Sequence, residues 1–127
     1  MKKIILTSKA PAAIGPYSQA VEVDNMLFLS GQIPIDPATG EFVEGGIKEQ
    51  TKQVFKNITA VLNEAGYSSE HIVKTTVFLS DMSLFPDMNS IYAEQFSGDF
   101  PARSTIAVKE LPRKALVEIE VIAVKGK

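Results

Sequence analysis

The chain has 127 residues, 22% of them charged and 45% hydrophobic, with 13 Lys+Arg against 15 Asp+Glu and a formal net charge of −2. That length suits one ordinary domain, 1–127, able to bury a core without staples. With no cysteine and a single histidine, His71, disulfides, thiol nucleophiles, Cys-ligated or poly-histidine metal sites and any Ser-His-Asp triad not built on His71 are excluded. No basic block or arm is present, so a phosphate-neutralising surface for nucleic acid gets no support. The start, Met1-Lys2-Lys3-Ile4-Ile5-Leu6, imitates a signal peptide, but the apolar run stops at Thr7-Ser8-Lys9, short of a secretory h-region. No stretch is long enough to span a bilayer. The expectation is a cytoplasmic protein with no membrane partner.

In chain order, Lys3 to Thr7 predicts a short strand, and Lys9 to Gln19, with Pro11, Gly15 and Pro16, a loop. Ala20 to Val23 and Met26 to Ser30 predict a hairpin closed by Asp24-Asn25. Asp36-Pro37-Ala38-Thr39-Gly40 is a turn signal. A helix follows Gly45-Gly46, with Ile47, Val54, Phe55, Ile58, Val61 and Leu62 on one stripe and Gly66 at its C-terminal end. Ile72 to Leu79 is the next strand, with His71 at the boundary before it. Ser80 to Ser83 offers caps for a second helix running to about Phe96, which Gly98 and Pro101 prevent from continuing. Ser104 to Val108 and Leu116 to Lys125 complete about six strands and two helices in one α+β domain.

Two helices can cover only one face of such a sheet. Val117, Ile119, Val121 and Ala123 belong under them, which leaves Leu116, Glu118, Glu120, Ile122 and Val124 on the other face, where Met26, Phe28 and Phe78 join by parity. So much uncovered apolar area is a liability on a monomer. Self-association, with the polar residues of that face lining clefts between subunits, is the simplest remedy.

Few residues carry chemistry. No phosphate-binding glycine loop is present: Gly45-Gly46 lacks both the spacing and the lysine. Gly15-Pro16-Tyr17-Ser18-Gln19 offers a phenol in a rigid loop, Ser30-Gly31-Gln32 a hydroxyl at a strand end, and Asn89 an amide in mid-helix, and each alone is a weak signal. Arg103 and the glutamates Glu118 and Glu120 form the stronger pattern. A cation and a carboxylate held on neighbouring strands can grip a small anion and move a proton beside it. From spacing alone the same pattern fits a structural Arg–Glu pair or solvated charges on an edge strand.

Taken in order, Gly15-Pro16-Tyr17-Ser18-Gln19, Ser30-Gly31-Gln32-Ile33-Pro34, a helix ending Leu62-x-x-Ala65-Gly66, Pro101-Ala102-Arg103-Ser104, Leu111-Pro112 and Val117-Glu118-Ile119-Glu120-x-Ile122-Ala123 resemble the RidA/YjgF family of reactive intermediate deaminases over essentially the whole chain. The resemblance implies a chorismate-mutase-like α+β fold and a homotrimer with clefts between subunits. It also implies cofactor-free and metal-free hydrolysis of 2-aminoacrylate and related 2-imino acids to 2-keto acids and ammonia. Arg103 matches the arginine that binds the substrate carboxylate, a task for which a guanidinium fork is suited. Glu118 matches the glutamate that positions or activates water, Tyr17 the loop tyrosine that closes over the ligand, and Ser30 and Asn89 residues lining the cleft. Thr105 stands where the family often has cysteine. Its backbone N–H remains available to the carboxylate, whereas thiol-dependent regulation is lost. Two rival readings are a module of this fold that binds small 2-keto acids without turnover, and a ribonuclease, against which the lack of a basic surface and of catalytic histidines argues.

Overall fold

A computed structural model describes residues 1–126 of the chain. Ten elements follow in order: β1 (Lys3–Ile5), β2 (Ala20–Val23), β3 (Met26–Gln32), β4 (Ile35–Asp36), β5 (Glu41–Phe42), α1 (Ile47–Glu64), β6 (Ile72–Leu79), α2 (Phe85–Glu94), β7 (Ala102–Ala107) and β8 (Val117–Val124). Six strands form one mixed sheet in the order β1-β2-β3-β8-β6-β7. Among the described residues only β6 and β7 run parallel. A parallel pair needs a crossover, and α2 supplies it.

The local signals act where the sequence places them. Asp24 adopts a left-handed φ of 53° in the β2–β3 turn, a conformation aspartate tolerates well. At the end of α1 the Tyr67 N–H donates to the Leu62 carbonyl (2.8 Å) and the Gly66 N–H to that of Asn63 (3.1 Å), with Gly66 at φ +82°. These are the paired bonds of a glycine-terminated helix. The expected second helix begins later. Asp81 accepts from the Ser83 N–H (2.8 Å) and caps a single 3₁₀ turn, Met82–Leu84, before α2 starts at Phe85. Pro86 explains the break, since it lacks an N–H and suits a first helical turn. The Asp36–Gly40 turn also carries more structure than the sequence suggests, because it closes the small β4–β5 hairpin.

Both helices lie on one face. There Leu27, Leu29, Val77, Leu79, Val117, Ile119, Val121 and Ala123 pack under Val54, Phe55, Ile58, Val61, Leu62, Met88 and Tyr92. Helix α1 is not purely apolar on this side. Asn57 Nδ2 donates to the carbonyls of Ile33 (3.1 Å) and Ile35 (2.9 Å), and Gln50 Oε1 accepts from the Leu116 N–H (2.9 Å). These amides satisfy backbone groups of segments that leave the sheet, as buried polar atoms must. Among the described residues the opposite face carries no helix. Ile4, Val23, Met26, Phe28, Ile106 and Val124 are exposed there, and the register Phe28↔Ile122 and Glu118↔Phe78 bears out the parity read from sequence.

Candidate active site

Arg103 lies one residue into β7, opposite Thr75 of β6. Thr75 is fully buried and its hydroxyl shares a 2.7 Å hydrogen bond with the Tyr92 phenol of α2. Arg103 therefore points to the helix side, at the open edge of the sheet. Its Nη1 donates to Asn89 Oδ1 at 2.7 Å. Its Cζ stands 4.6 Å from the centre of the Tyr92 ring and 5.4 Å from that of Phe85. One amide and two ring faces thus hold the guanidinium in place. It borders a cleft of about 450 Å³ that Asn89, Tyr92, Ala93, Phe100 and Pro101 also line. Burial raises the pKa of the Tyr92 phenol, against the opposing pull of the Thr75 bond and the Arg103 charge, so the ring stays neutral beside the cation. Thr105 shares the parity of Arg103, and its Oγ1 is buried with no hydrogen-bond partner among the described residues.

Glu118 lies elsewhere. Its neighbours Val117 and Ile119 are buried under the helices, so its own side chain occupies the uncovered face. On that face β3 and β8 slip register between Leu29 and Gln32, a bulge that disturbs the ladder and increases local twist. Ser30 and Gly31 sit in the bulge. The Ser30 hydroxyl donates to the Ser18 carbonyl (2.6 Å), and its N–H donates to the Gln19 carbonyl (3.0 Å). Ser30 is thus engaged in pinning the Tyr17 loop. Gln19, fully buried, does the same from inside: its side chain accepts from the Thr7 N–H (2.8 Å) and donates to the carbonyls of Thr7 (3.0 Å) and Pro11 (2.8 Å). Tyr17 is presented on this clasped loop, 53% exposed.

The predicted residues therefore form two groups. Arg103, Asn89 and Thr105 gather on the helix side, while Glu118 lies on the bare side against Gly31, next to the Ser30 that holds the Tyr17 loop. The expectation of a cation and a carboxylate on neighbouring strands is corrected, since β6 runs between β7 and β8 and the two side chains leave opposite faces. Phe85 and Tyr92 were legible as a helical stripe but not as platforms for Arg103. The available signal was Asn89, a polar residue on the stripe that Phe85 and Tyr92 define at helical spacing. Among the described residues no cluster of His, Asp or Glu could hold a metal ion, and no helix is long and apolar enough to cross a membrane.

Burial raises the Glu118 pKa, and the Glu120 charge raises it further. The carboxyl therefore holds its proton more tightly folded than unfolded. Folding is favoured below the ordinary carboxylate range, and that advantage is lost as pH rises through the raised value. Glu118→Gln is accordingly expected to raise the melting temperature at neutral pH, with the gain shrinking toward pH 4. Thermal unfolding monitored across that range checks it; a variant that is less stable at neutral pH would contradict this electrostatic assignment.

The family model described as Endoribonuclease L-PSP matches residues 7–125. A RutC family protein of Pyrococcus horikoshii is 54% identical over 125 residues, covering 98% of this chain and 99% of that protein. The 2-iminobutanoate/2-iminopropanoate deaminase of Mus musculus is 51% identical over 126 residues, covering 99% and 93%. A solved Rid family protein from Yersinia pestis superposes with a TM-score of 0.95 at 54% identity, covering 98% of this chain and 100% of that one. With the family model spanning nearly the whole chain and the fold shared with a solved Rid protein, this chain belongs to the RidA/YjgF family.

Proposed function

We propose that this protein hydrolyses 2-imino acids and their enamine tautomers to 2-keto acids and ammonia, in clefts that unite the Arg103 group of one protomer with the Glu118 group of the next. The observation that carries the reading is the guanidinium held by Asn89, Tyr92 and Phe85 at the mouth of a cleft of small-molecule size. The similarity to the mouse deaminase supports the substrate class. Because Arg103 and Glu118 leave opposite faces of the sheet, one protomer cannot bring both to one small molecule. A second copy covering the bare apolar face can.

In this scheme Arg103 grips the substrate carboxylate through two parallel N–H···O bonds, assisted by the Thr105 N–H and its unpartnered hydroxyl. An enamine first takes a proton from solvent at its β-carbon and becomes the iminium, the protonated form of the imine. Water beside Glu118 adds to the C=N carbon of the iminium as its proton passes to the carboxylate, which leaves a neutral carbinolamine. Glu118 then returns that proton to the carbinolamine nitrogen, the C–N bond breaks, ammonia departs, and C=O forms as the hydroxyl proton is released to solvent. Its raised pKa makes Glu118 a stronger proton acceptor than a free carboxylate, which suits a group that takes and returns a proton. Tyr17 closes over the ligand from its clasped loop. No cofactor or metal enters the scheme, and released imines already hydrolyse in water, so positioning and acid–base help are sufficient.

The family description as an endoribonuclease finds little footing in the geometry. His71 precedes the first residue of β6, and its Nδ1 accepts from the Ser68 N–H (2.9 Å). Glu118 faces Phe78 near the other end of that strand. The test is ammonia release when the protein is added to a threonine or serine dehydratase reaction, run beside an RNA-cleavage assay. Acceleration of imine hydrolysis without cleavage is expected. A protein that binds 2-oxobutanoate yet leaves hydrolysis at the spontaneous rate would be a binding module instead. The assembly has its own test. Sedimentation equilibrium at micromolar protein is expected to report three chains, and a stable monomer would sink the shared cleft.

A further inference from the structure

Gly31 departs from most of the chain's glycines. Gly15, Gly40, Gly45, Gly66 and Gly98 have positive φ, a region that favours glycine. Gly31 does not, so its backbone conformation is open to any residue. What excludes a side chain is Glu118. A Cβ built on Gly31 would overlap Glu118 Oε2 and lie 2.8 Å from Cδ and 3.0 Å from Cγ, with Glu118 supplying all three nearest atoms. The bulge between Leu29 and Gln32 brings this glycine against the carboxylate from β3, while Phe78 stands opposite Glu118 on β6.

We propose that Gly31 is a positioning residue for Glu118: the space left by its missing side chain is the seat that holds the carboxylate against the β3 bulge, beside Ser30 and the Tyr17 loop. Any larger residue turns the carboxylate out of that seat while leaving the backbone free to keep its course. The clash falls on the far end of a flexible side chain, which yields without unfolding the sheet. The seat also bears on titration. The charges on the face Glu118 occupies are Glu120 from its own strand and Lys74 from β6, whose Nζ donates to Ser104 Oγ of β7 (3.0 Å). From β3, Phe28 and Ser30 bring none. A carboxylate displaced toward solvent escapes the burial that raises its pKa.

This inference rests on the hydrolase reading, and its test separates the two. Gly31→Ala, Glu118→Gln and the double variant are compared in the dehydratase-coupled assay from pH 5 to 9, with 2-oxobutanoate titrated calorimetrically. Gly31→Ala is expected to melt as a folded protein and to lower kcat by about 10- to 100-fold, the scale of a misplaced catalytic group. The acid limb of its profile moves to lower pH, 2-oxobutanoate affinity holds, and the double variant is no slower than Glu118→Gln alone. Wild-type kcat and profile in Gly31→Ala, beside an impaired Glu118→Gln, would overturn the seat and leave the hydrolase standing. So would a further loss in the double variant, or a Gly31→Ala that does not fold. A Glu118→Gln at wild-type rate would overturn both.

Discussion

Arg103→Ala is expected to abolish enzymatic 2-imino acid hydrolysis and 2-oxobutanoate binding while leaving fold and assembly intact. The side chain sits at the open edge of the sheet, where an amide and two ring faces hold it beside the cleft. Its removal leaves a gap at a cleft, not a cavity. Two charge-assisted hydrogen bonds to a carboxylate, at roughly 1.5–3 kcal/mol each, put the loss at about 10²-fold or more in kcat/KM. Arg103→Lys is expected to rescue poorly, because an ammonium keeps the charge but loses the planar fork and the stacking on Tyr92. Coupled kinetics and calorimetry on both variants measure this. Wild-type rates in Arg103→Ala would move the carboxylate clamp elsewhere.

Glu118→Gln is expected to separate chemistry from binding. If the carboxylate takes and returns the proton of the attacking water, its loss costs about 10²–10⁴-fold in kcat. Affinity for 2-oxobutanoate, an anion gripped by Arg103, falls far less. Glu120→Gln is the control. It lies on the same face two residues on and is exposed, and its charge reaches Glu118 only through space. Its removal relieves part of the upward push on the Glu118 pKa and is expected to change kcat little. Equal loss in both variants would make the carboxylates an interface network. No loss in Glu118→Gln would leave a binding module of the same fold.

The placement of individual side chains along each element was legible in the sequence, and the illegible relations have a common cause. The spacing that places Val117, Ile119 and Val121 inward puts Glu118 outward without knowledge of any other strand, since period two is a local property. Gly66 announces the end of α1 by the same local logic. Ser30 and Asn89 were expected to line a cleft, and their hydrogen bonds run to the Ser18 carbonyl and to Arg103, roles that depend on segments far away in sequence. Gln19 gave no usable sign, because a buried carboxamide clasping a loop looks the same in sequence as an exposed one. β7 was placed to start at Ser104 rather than Ala102, since Ala-Arg-Ser has little strand propensity and pairs only because β6 offers a partner edge.

The sequence by itself determined the α+β class, the hairpin at Asp24-Asn25, both helices, the buried face of the last strand and the family. These follow from local periodicity, turn chemistry and motif order. The side on which Arg103 stands was decided only by tertiary structure. Parity ties Arg103 to Thr105 and Glu118 to Glu120 but does not relate one strand to another. That relation comes from the parallel register Thr75↔Arg103 and the antiparallel register Phe78↔Glu118, each of which pairs segments distant in sequence. The packing of α2 supplies the ring faces under the guanidinium, and the β3 bulge supplies the space at Gly31. Both arise where distant segments meet, so local pattern alone does not locate them.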